Sequence, residues 1–159
     1  MDAARLVAEA ERAMAGSPQP EDVIAEAWQA FELTEAVGWL LAADDGDGRE
    51  RETRGAVAER AAAAEHGRPE VRAGPDPATG AVTGAAGAGP PRAARLTGVR
   101  DPAGTLRALR ILLGGIGLAL VAITCTAEDE TAYWQCIEAL DAVDEAKDRV
   151  RTLSGADPG

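Results

Sequence analysis

The residue types that most often carry catalysis are scarce in this chain of 159 residues. Histidine occurs once, at His66, which removes the commonest catalytic base and excludes by count a zinc site made of cysteine and histidine. Asparagine is absent, lysine occurs once and serine twice. The two cysteines, Cys125 and Cys136, are predicted to be buried and reduced, because helical spacing separates them by roughly 12 Å, beyond disulfide reach.

Large apolar side chains are also few. Aromatic residues make up 3% of the chain, and Leu, Ile, Val and Phe together number 29, against 36 alanines. Such a low content of large side chains is typical of charged sequences that are partly unstructured. We therefore expect a core that is helical and padded with alanine, beside a segment without fixed structure. The bias towards Ala, Gly, Arg, Pro and Asp indicates a GC-rich genome.

Positive charge is scarce, and the formal net charge is −11. This balance argues against nucleic-acid binding, which needs a basic face to neutralise phosphates. The N-terminus has no basic stretch followed by an apolar one, so no secretory signal is expected and a cytoplasmic location is predicted. The longest uncharged run, Ile111–Ala127, has 17 residues, short of the roughly 20 that a membrane span needs. Its length and three glycines favour a central buried helix over a membrane span.

Helical periodicity predicts an all-α fold, a four-helix bundle of two αα-hairpins. The first hairpin is expected over 2–43 and the second over 102–153. A long flexible crossover linker, 44–101, joins them, with 67–91 disordered because Gly, Pro and Ala dominate it. Residues 154–159 form a tail, and the whole chain is one domain.

Local signals set the expected helix ends. The run Asp44–Gly48, rich in Asp and Gly, predicts the end of the second helix. Whether 49–66 forms another helix is left open, because Val57 and alanines alone offer it a core face. Asp101 with the following proline predicts the start of the third long helix, and Thr126 is predicted to cap the last one.

Two segments match at an offset of 106 residues. Trp28–Val37 aligns with Trp134–Val143, and both contain the pattern W-Q-small-apolar-E-x-x-acid-A-V. Each copy lies on the second helix of its hairpin, so the bundle is interpreted as a possible internal duplication.

The repeat also groups aromatic rings with carboxylates, because residues three and seven apart share a helix face. If the two helices pack antiparallel, each indole N–H can donate to the carboxylate of the other copy. The rings are also expected to meet at the centre of the core. The predicted aromatic–carboxylate cluster consists of Trp28, Phe31, Glu35, Trp134 and Asp141.

Paired carboxylates on facing helices support an alternative, enzymatic hypothesis. Glu32 with Glu35, and Glu138 with Asp141, form ExxE and ExxD motifs that can hold Mg²⁺ or Mn²⁺. The pairing resembles that of all-helical nucleotide pyrophosphatases, which implies a metal-dependent phosphohydrolase. The hairpin–crossover–hairpin layout also resembles ferritin-like di-iron bundles, although the histidines those sites need are missing here.

The segments RLTGVRD at 95–101 and YWQCIEALDAVDEAKDRV at 133–150 resemble an uncharacterised family of small, all-helical actinobacterial proteins, a domain of unknown function. The likeness covers mainly 20–43 and 92–151, and it implies a soluble helical protein without assigning catalytic residues. The predicted function is accordingly non-enzymatic: binding of an unidentified protein partner, or self-association into a homo-oligomer, without a cofactor. The alternative is the Mg²⁺- or Mn²⁺-dependent phosphohydrolase.

Overall fold

A computed structural model describes residues 1–57 and 89–155, with the backbone alone for 49–57. These residues contain no strand and five helices, which confirms the all-α class. In chain order the helices are α1 (Ala3–Ala15), α2 (Pro20–Val57), α3 (Arg92–Arg95), α4 (Pro102–Thr126) and α5 (Glu130–Gly155). Two compact units are present, one made of Met1–Ala42 with Gly89–Gly159 and the other of Ala43–Ala88.

Aspartate side chains cap the N-termini of three of the long helices. The Asp2 carboxylate accepts from the backbone N–H of Ala4 at the start of α1, and Asp101 accepts from Gly104 at the start of α4, as predicted. The prediction for the last helix is wrong. Thr126 is still part of α4 and its hydroxyl donates to carbonyls of that helix, whereas Asp129 accepts from the N–H of Thr131 at the start of α5.

Helix α2 is longer than predicted. It does not end near Ala43 but continues to Val57, through Gly46 and Gly48. A glycine in a helix costs about 1 kcal/mol relative to alanine, and the alanine, glutamate and arginine residues around these two glycines favour helix enough to offset that cost. Of the possible helix over 49–66, residues 49–57 therefore belong to α2, and 58–66 lie outside the described residues.

Aliphatic side chains, not aromatic ones, form the centre of the core. Helix α4 packs against both α1 and α5. The largest fully buried side chains, apart from two threonines, are Leu6, Val7, Leu33, Val37, Leu109, Leu113, Ile116, Leu120, Val143 and Val150. All three tryptophans and the tyrosine are exposed, so the predicted aromatic centre is wrong. Cys136 is buried as predicted, but Cys125 is exposed.

The end of the predicted linker is folded onto the start of the chain. The backbone carbonyl of Gly98 accepts from Ala3, that of Met1 accepts from Thr97, and the Asp2 carboxylate accepts from the N–H of Arg100. These bonds hold 97–100 against the N-terminus of α1. The linker prediction therefore extended too far at this end, because single hydrogen bonds and ion pairs leave no periodic signal. Residues 67–88, most of the segment predicted to be disordered, lie outside the described residues, as do 156–159 of the predicted tail.

Candidate interaction surface

The structure separates the aromatic rings of the two repeat copies. Trp28 packs edge-to-face on Phe31 with ring centroids 6.3 Å apart, and Trp134 packs on Tyr133 at 5.4 Å. Both pairs lie within a single helix, α2 or α5, and no aromatic pair joins the two helices in the described part of the chain. No hydrogen bond from either indole to a carboxylate is found among the described residues, so the predicted exchange of donors between the copies is not seen there.

The predicted metal ligands are dispersed. Glu35 makes a long ion pair across to α5, with its Oε1 3.9 Å from Nε of Arg149. Glu32, Glu138 and Asp141 are exposed. Among the side chains described for residues 1–48 and 89–155, no group of three or more from Asp, Glu, His or Cys is placed to hold a metal ion. The described structure therefore does not bring the ExxE and ExxD motifs together as a metal centre.

Sequence reasoning missed two arginine–glutamate pairs made by the short helix α3. Arg92 is bidentate to Glu26 of α2, with its second guanidinium nitrogen 2.9 Å from Oε1, and Arg95 is bidentate to Glu9 of α1 at 2.8 and 2.9 Å. The hydrogen bond from Arg95 lowers the pKa of the Glu9 carboxyl and raises that of the guanidinium. These pairs fasten α3 to both neighbouring helices. The one sequence signal was the pair of arginines in a segment otherwise rich in Gly, Pro and Ala.

The outer face of α4 presents large apolar side chains to solvent. Leu118 is 75% exposed, Ile111 63% and Val121 49%. These three residues follow helical spacing and lie on one side of the helix, opposite the buried Leu109 and Ile116. No charged residue interrupts the sequence from Ile111 to Ala127. We call this side, Ile111 with Leu118 and Val121, the α4 outer face.

A solvent-open groove of about 430 Å³ runs beside this face, between α4 and α5. Its apolar lining includes Leu118 and Val121 of α4 and Ile137 and Leu140 of α5, together with two glycines of α4. Asp141, Asp144 and Lys147 also line it, and the Lys147 ammonium lies 3.8 Å from Asp144. This lining matches an apolar side chain or a helix edge better than a polar substrate, since its one ammonium already has a carboxylate neighbour.

Glycines widen the approach to the α4 outer face. A Cβ atom built on Gly114 or Gly115 would meet nothing within 4 Å, whereas one built on Gly117 would lie 3.2 Å from the ammonium of Lys147. The first two glycines therefore border open space, and the third lies under the lysine side chain. A second backbone can approach α4 closely beside Gly114 and Gly115.

Helix α4 is the one helix among the described residues that is long and apolar enough to cross a membrane, by length and composition alone. The mean hydropathy of its most apolar window is 2.1, and one third of that window is buried in the structure. The same composition is also typical of the central helix of a folded domain. One side of α4 has that role, because it packs against α1 and α5.

Comparison with known families gives one match. The profile of a family described as "Family of unknown function (DUF6099)" matches residues 1–154. No curated protein and no solved structure matches the chain.

Proposed function

We propose that this chain, which belongs to the family of unknown function DUF6099, is a non-enzymatic helical protein that associates with another protein chain through the α4 outer face. The observation that carries the proposal is the exposure of Leu118, Ile111 and Val121 within an uncharged stretch of 17 residues. Soluble proteins rarely leave contiguous apolar surface open unless it binds something.

Covering this face contributes favourable free energy to association. Fully burying one Leu, Ile or Val side chain is worth about 1.5–3 kcal/mol relative to leaving it exposed. The summed burial free energy of three such side chains and of the apolar wall of the neighbouring groove approaches the binding free energy of a transient complex. The cost of association is not yet subtracted from this sum. The adjacent open space beside Gly114 and Gly115 allows a partner helix to pack closely.

The phosphohydrolase alternative gains no support from the site. Mg²⁺ needs carboxylate oxygens at about 2.0–2.1 Å in near-octahedral order. In the described residues the four candidate carboxylates are not gathered, and Glu35 is directed to Arg149. The enzymatic hypothesis would need those side chains to rearrange.

A protein partner also fits the charge of the molecule better than a lipid surface does. The net charge is −11, and acidic surfaces are repelled by the anionic lipids of a cytoplasmic leaflet. The inner side of α4 is already occupied by α1 and α5, so inserting this helix into a bilayer would require unpacking the core. We accordingly propose a cytoplasmic protein.

The proposal includes the four-helix bundle formed from a duplicated hairpin. At the offset of 106 residues, Ala30 matches Cys136 and Val37 matches Val143, and all four are buried. On the first helices of the two hairpins, Leu6 matches Leu112 and is buried like it. Agreement in burial at these positions supports a common origin for the two hairpins.

Site-specific photo-cross-linking tests the proposed function. A benzophenone amino acid placed at Leu118 should give a discrete cross-linked protein band in the cells that naturally produce the chain. The matched control is the same substitution at Trp39, which is equally exposed (75%) but lies on α2. Bands at 118 and not at 39 support association through the α4 outer face. Cross-linking to lipid alone, or equal products at both positions, would refute it.

A further inference from the structure

The two ends of the α4 outer face carry opposite charges. Arg107 and Arg110, both exposed, precede the uncharged stretch, and exposed Glu128, Asp129 and Glu130 follow it. Arg107 and Leu118 are eleven residues apart, close to three helical turns, so the arginine continues the outer face at its N-terminal end. Two arginines of α4 therefore precede its apolar stretch, and three acidic residues of the α4–α5 connection and the start of α5 follow it.

Such a surface is complementary to itself when two copies run antiparallel. Suppose that a two-fold axis passes between the Leu118 side chains of the two copies. A residue that stands a given number of positions before Leu118 then lies level with the residue that stands the same number of positions after Leu118 in the other copy. Arg107 then lies beside the C-terminal end of the partner's α4, where the partner's Glu128 and Asp129 follow directly, and the same contact repeats at the other end. Parallel packing would instead set arginine against arginine and acid against acid, which repel.

Side-chain sizes also alternate correctly across this axis. Ile111 lies level with the partner's Cys125, and Gly115 lies level with the partner's Val121. A large side chain thus meets a small one on each side of Leu118, as close packing of two helices requires. The open space beside Gly115 accommodates the valine.

The acidic side chains of α5 limit the contact to α4. Asp141 and Asp144 line the far side of the groove, and Glu138 and Glu145 are exposed on the same helix. Two copies brought together through α5 would place these rows of like charge against each other, which is unfavourable. The uncharged stretch of α4 is free of this repulsion.

We propose that the occupant of the α4 outer face is a second copy of this chain, packed as an antiparallel α4–α4 pair centred on Leu118. This inference rests on the proposed function and specifies its partner. It makes the protein a symmetric homodimer in which each copy covers the other's Ile111, Leu118 and Val121.

The first test is the oligomeric state of the full chain, measured by sedimentation velocity from about 1 to 200 µM, because association follows mass action. The wild type should shift to the mass of two chains. Leu118→Glu should raise the dimer dissociation constant at least about a hundredfold, because two carboxylates meet at the axis. Trp39→Glu, a change at an equally exposed residue, should leave it unchanged. Circular dichroism checks that both variants stay folded.

The second test fixes orientation and register by disulfide formation. Ile111→Cys should cross-link to the partner's Cys125 under mild oxidation, giving two bonds per dimer. Within one chain the two positions are about 21 Å apart along the helix, so an intramolecular bridge is excluded. A link between Cys125 of the two copies in the wild type would instead indicate parallel packing and overturn the inference.

The third test exchanges the end charges. Arg107→Glu alone should weaken the dimer, by about tenfold at low salt, and adding Glu128→Arg should restore it. Failure of the second change to rescue the first would overturn the register.

The outcomes separate this inference from the proposed function. A chain that stays monomeric at 200 µM while position 118 cross-links to a different protein overturns the homodimer and leaves the proposed function standing. A cross-link from position 118 to residues 58–88 of the same chain overturns both, since the face would then be covered within one molecule. A monomer without any cross-linked protein also overturns both.

Discussion

The two ion pairs made by helix α3 allow a sharp prediction, because they share their chemistry and differ in burial. Arg92 and Arg95 each make a bidentate contact with a glutamate. The side chains of Arg92 and Glu26 are 12% and 11% exposed, whereas those of Arg95 and Glu9 are 31% and 28% exposed. The same substitution in the two pairs should therefore have different costs.

Glu26→Gln should lower the free energy of unfolding by about 2–4 kcal/mol. The change removes the negative partner and leaves the Arg92 guanidinium largely buried without a compensating charge. Removing one partner of a fully buried pair costs about 3–5 kcal/mol, and the residual exposure and the neutral oxygen that glutamine retains reduce that figure. Glu9→Gln should cost clearly less, because water screens the more exposed pair.

Urea unfolding followed by circular dichroism at low salt measures both variants on the same scale. The double variant Glu26→Leu with Arg92→Met is the control, and it should be more stable than Glu26→Gln, since it leaves no unpaired charge. The conclusion that the buried ion pair of α3 stabilises the fold would be refuted by either of two results. One is an equal loss of unfolding free energy in Glu26→Gln and Glu9→Gln, and the other is a loss below about 1 kcal/mol in Glu26→Gln.

Three further predictions concern backbone and titration. Ser17 has a φ of 58°, in the left-handed region, so Ser17→Gly should raise the free energy of unfolding by about 1 kcal/mol in urea melts; an unchanged or lower value would contradict the strain. The pKa of Glu9 is lowered by Arg95, so the pair's contribution is present above about pH 4.5 and is lost as the pH falls through the lowered pKa. Glu9→Gln should flatten that part of the stability–pH curve, and an unchanged curve would argue against the pair. Gly115→Ala should raise the melting temperature of the monomer, since an added Cβ meets nothing within 4 Å, yet weaken the dimer. Gly48→Ala, with equally open surroundings, should stabilise its helix without affecting dimerisation, and dimer loss in both glycine variants would argue against the interface.

The starts of α1 and α4 were well predicted because a start depends on neighbours in sequence. A carboxylate before the first turn, as at Asp101, satisfies backbone donors within three residues. Helix ends were predicted less well for the same reason: glycine and aspartate near Gly46 weaken a helix by amounts that the flanking residues overcome. The free-energy difference between ending a helix and extending it is small, and local composition alone does not determine its sign.

The contacts at the candidate site, unlike the helix starts, were not predicted correctly. The aromatic–carboxylate cluster was predicted from shared helix faces, and the structure shows Trp28 and Trp134 each paired within their own helix. A shared face is necessary for contact but does not determine which helix covers it. The uncharged stretch Ile111–Ala127 was interpreted as a central buried helix, whereas Leu118 proves to be 75% exposed. The contacts of Arg92 and Arg95 span more than sixty residues along the chain and leave no pattern in it.

The sequence by itself determined the all-α class, the starts of α1 and α4, the shortage of catalytic side chains and the unbroken apolar stretch of α4. These properties follow from composition and from interactions within a few residues. Only the tertiary structure decided which side of α4 stays open, that the core is aliphatic, and that α3 joins α1 to α2 through Glu9 and Glu26. The reason is physical: a helix has the same periodicity whichever side is covered, and exposure is decided by the segments that pack against it.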